Sequence, residues 1–252
     1  MQLFTKAIVR KPGRNFANGI TTSKLGKPSF EKALMQHNAY CNALAKCGLD
    51  VTILEADERF PDCCFVEDTA IVTNEVAIIA KPGDKARLGE EEIIAKELVK
   101  HKPIVHIKLP GYVDGGDIMR VEDHFHIGMS RRTNEEGAQQ LSAILAKYGY
   151  TSSQIPVNKV LHLKTGVTFL GNNNYIGISE FWNFFSFANI IKLDADESYS
   201  ANCLKINDYL LIPKGFPKSK VKILGLGYDI IEVEMSEFRK MDGGLTCLSL
   251  LF

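Results

Sequence analysis

The sequence predicts an α/β fold, a five-bladed α/β propeller of ββαβ modules with pseudo-five-fold symmetry. Three observations predict it. A polar entry, an apolar run, a polar turn and a second apolar run recur along the chain. A helical pattern and a lone apolar strand tend to follow each such hairpin. The last twelve residues, MDGGLTCLSLLF, hold an entry and one strand only, and the first strand of the chain can supply the missing partner. Repetition on a scale of roughly 40 to 50 residues is the mark of a propeller or array.

The closing module therefore uses both ends of the chain. Strand 4–10, helix 29–46 and strand 51–54 complete what the terminal stretch begins. The next module starts at Asp68, where the hairpin 68–83 turns through Thr73, Asn74 and Glu75. Helix 89–100 follows, with apolar Ile93, Ile94, Leu98 and Val99 on one side, and then strand 104–108. A third module starts at Asp114 with DGGDIMRVEDHFHIG and turns at Glu122 and Asp123. Its helix, 134–148, is announced by Thr133, Asn134 and Glu136 and carries Ala138, Leu141, Ile144 and Leu145 inward. Strand 151–157 ends it. A fourth hairpin, KTGVTFLGNNNYIGIS from Lys164, turns through asparagines. A fifth, ANCLKINDYLLIPKG from Ala201, turns at Asn207 and Asp208 and leads to strand 229–234. Asn, Asp and Gly at these turns are hairpin residues. A doubly wound sheet would need helical crossovers where these hairpins stand. The expected organisation is one catalytic domain, residues 1–252.

Composition narrows the partners. Thirty basic residues balance thirty acidic ones over 252 residues, which argues against a nucleic-acid surface or an acidic-membrane patch. No apolar run approaches a membrane span. The amino-terminal MQLFTKAIVRKPG lacks a leader's long apolar core, so a cytoplasmic protein is expected. No CxxC pair supports zinc. Of six cysteines, Cys41, Cys47 and Cys203 read as packing residues, adjacent Cys63 and Cys64 as strand packing, and Cys247 as the start of the terminal strand. His124 and His126 alternate on a strand and read as a polar face rather than a metal site.

In such a ring the module entries meet at the pseudo-axis. The entries hold Glu67 and Asp68, Asp114 to Asp117, His162, and Asp242-Gly-Gly ahead of Cys247. An aspartate or glycine at a turn is ordinary turn chemistry, and a lone histidine or cysteine is ordinary packing. Their recurrence at equivalent entries points to chemistry. A thiol beside an imidazole is a nucleophile with a proton shuttle. Carboxylates beside a thiol oppose its ionisation, unless the substrate is a cation. A guanidinium is such a cation, pairs with carboxylates and offers an electrophilic carbon.

The stretches LGKPSFEKALMQHNAY, DERFPDCCFVEDTAIV, PGDKARLGE, DGGDIMRVEDHFHIG, SRRTNEEGA, VLHLKTG, ESYSANC and RKMDGGLTCLSLLF run along nearly the whole chain. In this order they resemble the bacterial branch of the dimethylarginine dimethylaminohydrolases, in the guanidine-modifying superfamily of pentein propellers. The resemblance implies Cys247 as nucleophile and His162 as proton donor to the leaving amine, then as base for water. It implies Asp114 orienting His162 or holding the guanidinium, and Asp68 with Glu67 on the guanidinium nitrogens. Arg87 and Arg132 would take the α-carboxylate, and Asp62 with the Met241 carbonyl the α-amine. Ile20 would close over the substrate. The chain has Leu88 where relatives often carry a second arginine, and Lys85 where a neutral residue is usual.

The implied reaction is hydrolysis of a free methylated arginine to citrulline and an amine through a thiouronium intermediate. It needs no metal or organic cofactor, and its partner is a small molecule, with a homodimer as the expected assembly. The rivals are arginine deimination, amidino transfer, citrulline hydrolysis, and a non-catalytic sensor of arginine derivatives. The absence of a large inserted helical domain counts against a deiminase.

Overall fold

The computed structural model describes residues 3–252. Met1 and Gln2, part of the stretch read as leaderless, lie outside the described residues. Five three-stranded sheets stand around a common axis. In every one, the middle strand pairs antiparallel with the strand before it and parallel with the strand after it. That is the ββαβ signature expected from the sequence.

In chain order the first sheet holds β1 (Lys6–Arg10) and β2 (Asp50–Leu54), joined by helix α1 (Phe30–Lys46). The second is β3 (Ala70–Val72), β4 (Ala77–Ile79) and β5 (Ile104–His106), with α2 (Glu91–Leu98). The third is β6 (Ile118–Val121), β7 (His124–Met129) and β8 (Thr151–Pro156), with α3 (Glu135–Lys147). After a single helical turn, α4 (Leu163–Gly166), comes the fourth: β9 (Val167–Gly171), β10 (Asn174–Gly177) and β11 (Asn189–Lys192). The fifth is β12 (Leu204–Ile206), β13 (Tyr209–Pro213) and β14 (Asp229–Val233), with α5 (Pro217–Leu224). The short helix α6 (Ser236–Arg239) leads to β15 (Leu250–Leu251), which pairs antiparallel with β1 and completes the first sheet.

The helices start where side chains can cap them. Ser29 accepts the Lys32 N–H ahead of α1, and Asn134 accepts the Gly137 N–H ahead of α3. Their inner faces, such as Tyr40 and Leu44 on α1 and Leu141 and Leu145 on α3, are fully buried against the sheets. The hairpin turns put Asn172, Asn173 and Asn207 at positive φ, as their residue type predicts, and Glu122 as well, against its type.

Three expectations need correction. The fourth module has no helix. Its connection, residues 178–188, is a run of turns bearing Phe181, Trp182, Phe184, Phe185 and Phe187. Phe181 and Phe185 are fully buried, and Phe185 stacks on Tyr175 at 4.6 Å. Aromatic residues are poor helix formers, and here ring packing fills the layer a helix fills elsewhere. Cys63 and Cys64 are buried in a turn rather than in a strand. Cys247 sits in a 3-10 turn, Thr246–Leu248, and the terminal strand is shorter than the apolar run that suggested it.

The ring closes through more than β1 and β15. Asn207, at φ 50°, receives the Phe4 N–H at 2.9 Å. It donates to the Phe4 carbonyl at 2.9 Å and to the Cys47 carbonyl at 3.2 Å. One side chain thus ties the fifth module to the first. Asn207→Ala loses these bonds and puts at this φ a residue that tolerates the left-handed region less well than asparagine, at an expected cost of about 2–4 kcal/mol. Asn207→Gly loses the bonds alone and should cost less. Urea unfolding of both variants against wild type is the measurement.

Candidate active site

Each sheet is entered through short 3-10 or α-helical turns, the fifth through a longer pair kinked at Glu197, and these turns carry the charged residues to the axis. Val66–Thr69 presents Glu67 and Asp68, and Gly115–Asp117 follows Asp114. His162 caps the turn α4, Ala195–Ala201 is followed by Asn202, and Thr246–Leu248 holds Cys247. The polar turns read from the sequence are therefore short helical turns, which fix side-chain direction more tightly than a loop.

His162, Cys247, Asp68 and Arg132 line one cavity with Ile20 and Asp62, and Arg87, Met241 and Leu161 complete its wall. Some 360 Å³ of unfilled space lies within it and at its mouth, open to solvent. Of the residues expected at the site, Asp114 and Glu67 lie just behind this wall.

Asp114 is fully buried. Its Oδ2 is 3.1 Å from His162 Nε2, its Oδ1 accepts the Gly83 N–H at 2.7 Å, and Arg132 approaches Oδ2 at 3.7 Å. Of the two roles open to Asp114, the geometry favours orienting the imidazole. Burial disfavours the charged imidazole, but Asp68, the hydrogen bond to Asp114 and the charges of Asp117 and Asp114 outweigh it. They hold His162 up to about 9, so it is an imidazolium at neutral pH.

Asp68 accepts Arg87 Nη1 at 2.6 Å and the Gly116 N–H at 2.9 Å. Burial opposes its ionisation, yet His162 and Arg87 hold its carboxyl down to about 2. Glu67 faces a different pair. Lys164 Nζ reaches its Oε1 at 2.5 Å and the Thr246 hydroxyl donates to Oε2 at 2.7 Å. Burial raises the Glu67 pKa against the pull of Lys164. Glu67 thus sits under the turn that holds Cys247, with its oxygens taken by protein donors.

Cys247 is partly exposed to the cavity. Burial, and then the charges of Glu67 and Asp68, push its thiol well up, while the Gly244 N–H, 3.3 Å from Sγ, opposes the rise. A neutral thiol and a charged imidazole are therefore the resting pair. The other five cysteines are buried and free.

Arg87 and Arg132 are not a solvated surface pair. Arg87 is 4% exposed, donates to Asp68, to Glu90 at 2.7 Å and to the Phe65 carbonyl at 3.0 Å. Arg132 is held more loosely, at 3.4 Å from Asp84. Leu88 is exposed, Lys85 lies in the turn that carries Arg87, and neither lines the cavity. Asp62 accepts the Ile20 N–H at 3.0 Å, and burial raises its pKa. Beyond Ile20, Asp242 accepts the Thr22 N–H at 2.5 Å and the hydroxyls of Thr21 and Thr22 at 3.2 and 3.0 Å. The loop is thus pinned at Ile20 and at the two threonines after it, by carboxylates from distant parts of the chain. Met241 lines the wall with its side chain buried.

One oxygen each of Asp68 and Asp114 and one nitrogen of His162 lie within 4.8 Å of one another, a spacing that would suit a cation. In this protein Arg87, Arg132 and the imidazolium supply that positive charge. His124 and His126 bond instead to the hydroxyls of Thr151 and Ser153 on β8.

Sequence reasoning missed Lys164, Asn202, Thr246 and the latch made by Asp242. The signal for Asn202 was available, since it stands at the fifth module's entry where the other entries carry chemistry. It also took the Gly-Gly pairs for turn formers. Neither Gly115 nor Gly116 has positive φ. A β-carbon at Gly116 would lie 2.7 Å from the His162 ring and 3.0 Å from Asp68, so its absence is what lets the imidazole approach.

A family model described as N,N dimethylarginine dimethylhydrolase, eukaryotic, matches residues 15–212. The N(G),N(G)-dimethylarginine dimethylaminohydrolase of Pseudomonas aeruginosa is 48% identical, over 99% of this chain and 100% of that protein. The protein of the same description from Streptomyces coelicolor is 33% identical, over 97% and 95%. The solved structure of the Pseudomonas aeruginosa enzyme, a cysteine-to-serine mutant complexed with citrulline, superposes with a TM-score of 0.98. It covers 100% of both chains at 48% identity. The N-terminal domain of a cyanobacterial arginine dihydrolase superposes with a TM-score of 0.89 at 15% identity, over 99% and 97%, a likeness of fold.

A pH titration of the His162 imidazole by NMR should give a midpoint of about 9. Asp114→Asn, which removes the bonded carboxylate charge, should lower that midpoint by about one to two pH units.

Proposed function

The chain belongs to the dimethylarginine dimethylaminohydrolase family, and from that membership we propose that its cavity hydrolyses free Nω-methylated L-arginine to L-citrulline and dimethylamine or methylamine. It is a hydrolase acting on linear amidines. The observation that carries the reading is a thiol and an imidazole lining one cavity among buried carboxylates, a site whose charge balance a cationic substrate completes.

The substrate's guanidinium enters beside Asp68, which keeps free lone pairs on both oxygens after its bonds to Arg87 and Gly116. Its positive charge lowers the thiol pKa, and the Cys247 proton leaves to solvent. Sulfur attacks the guanidinium carbon and a C–S bond forms. The tetrahedral adduct collapses as the C–N bond to the methylated nitrogen breaks, and His162 gives that nitrogen its proton. Neutral His162 next takes a proton from water as its oxygen attacks the thiouronium carbon. The C–S bond breaks, sulfur leaves with the electron pair and takes the remaining hydroxyl proton as the carbonyl forms, and citrulline is released. Asp114 keeps the imidazole oriented through both transfers. Water exclusion falls to Ile20 and its pinned loop.

At the other end of the substrate, Arg132 and Arg87 take the α-carboxylate. Arg132 is the more available of the two, because Arg87 already faces acceptors on Nε, Nη1 and Nη2. Asp62 and the Met241 carbonyl take the α-amine. Glu67 acts from beneath, as a charge that sets the Cys247 pKa, rather than as a direct ligand of the guanidinium. Residues 1–252 work as one catalytic unit in this reading, since the cavity wall joins Ile20 near one end to Cys247 near the other. A cytoplasmic setting is supported by six free thiols. No helix among the described residues is long and apolar enough to cross a membrane.

The test is mass analysis of products from asymmetric dimethylarginine, monomethylarginine, arginine and citrulline, with dimethylarginine N-acetyl amide beside them. Free methylarginines should give citrulline, whereas the blocked form should not react. Cys247→Ser should lose turnover and keep binding of dimethylarginine, measured by calorimetry.

The resting protonation state also sets a pH profile. Productive attack needs one proton fewer than the resting pair carries. The lower of the two raised pKa values, that of His162 at about 9, governs its loss from the free enzyme. The value of kcat/KM should therefore climb tenfold per pH unit through neutrality and level near pH 9. A profile flat from pH 6.5 upward, measured by citrulline release, would show that the free enzyme already holds the thiolate pair.

A further inference from the structure

We infer that Asn202 is a positioning residue that sets the separation between His162 and Cys247. Asn202 follows the helical turn Ala195–Ala201 and is 6% exposed. Its side chain makes three hydrogen bonds, all toward the two reacting groups. Nδ2 donates to the Lys164 carbonyl at 2.9 Å and to the Thr246 hydroxyl at 3.0 Å, and Oδ1 accepts the Thr246 N–H at 3.0 Å. Lys164 lies two residues beyond His162, in the turn that His162 caps. Thr246 is bonded directly to Cys247 in the chain.

The bonds form a closed loop. Asn202 donates to Thr246, the Thr246 hydroxyl donates to Glu67, and Glu67 receives Lys164 Nζ. The Lys164 carbonyl returns to Asn202. Four module entries are stitched together in this loop. The site holds Asn202 closely from its other side too, because a β-carbon at Gly244 would lie 2.6 Å from the Asn202 amide. Nothing in the loop lines the substrate cavity, and Asp62, Arg87 and Arg132 are outside it. Asn202 therefore acts through the turns that hold the thiol and the imidazole, and its loss should appear in the chemical steps rather than in binding.

The inference rests on the proposed hydrolysis, and the experiment reads the two separately. Active sites of Asn202→Ala are titrated through Cys247, and kcat is expressed per reactive thiol. We expect kcat to fall about a hundredfold, as a displacement near 1 Å would produce, with KM within about threefold of wild type. Thr246→Val should fall in the same direction, and Thr246→Ser, which keeps the hydroxyl, should stay within about threefold. A kcat per titrated thiol equal to wild type in Asn202→Ala overturns the inference, because a purely structural residue would lower only the active fraction. If Asn202→Ala does not fold, the Thr246 pair decides, with equal kcat for Val and Ser overturning it. A wild type inactive on every methylarginine overturns the functional reading alone. The inference is then decided by the rate at which a cationic alkylating amidine modifies Cys247, expected to drop about tenfold in Asn202→Ala. An unchanged rate overturns it.

Discussion

Four carboxylates, Glu67, Asp68, Asp114 and Asp117, are buried around the pseudo-axis, and the need to answer their charge governs the site. A buried carboxylate without a partner is costly, so each meets a cation or several donors. Glu67 has Lys164 and Thr246, while Asp68 has Arg87 and the Gly116 N–H. Asp114 has His162 and Gly83. Asp117 accepts Ser130 at 2.6 Å, Thr133 at 2.8 Å and the Leu163 N–H at 3.0 Å. Through that last bond it anchors the residue after His162. The carboxylates therefore fix backbone as well as charge.

The same arrangement makes the chemistry depend on the substrate. Burial and then negative potential raise Cys247, and negative potential raises His162 against its burial, so the resting site holds an acid ready and a thiol unreactive. A neutral molecule entering the cavity would leave that balance as it stands. A guanidinium shifts it toward the thiolate and brings the electrophilic carbon with it. In the proposed reaction, selectivity for a cation is thus part of how the nucleophile is generated, and a thiol at rest is protected from adventitious alkylation and oxidation.

Ring closure brings the ends of the chain to this balance. Asp62 and Asp242 hold the loop of Ile20 from opposite sides, although Asp242 lies 220 positions from Thr22. The fourth module dispenses with a helix without disturbing the site, because its entry turn α4, and not its outer layer, carries His162. What is shared among the modules at the axis is the entry turn. The outer face tolerates replacement of a helix by packed phenylalanines.

The sequence by itself determined the repeat and its consequences. Alternation of apolar residues, hairpin asparagines and capped helical stretches are local signals, and they sufficed for the five modules, for closure by the first and last strands, and for Cys247, His162, Asp114 and Asp68 at one place. Pairings across modules were decided by the tertiary structure alone. Glu67 turns to Lys164, 97 positions away, and Asp114 to His162, 48 positions away. Asn202 meets both Lys164 and Thr246. The glycines of the Asp-Gly-Gly motifs serve close approach of His162 and Asn202, which no local reading of a turn could reveal. The reason is physical: periodicity reports which face of an element is buried, whereas the partner of a buried charge is chosen by the distances that five converging turns leave between them.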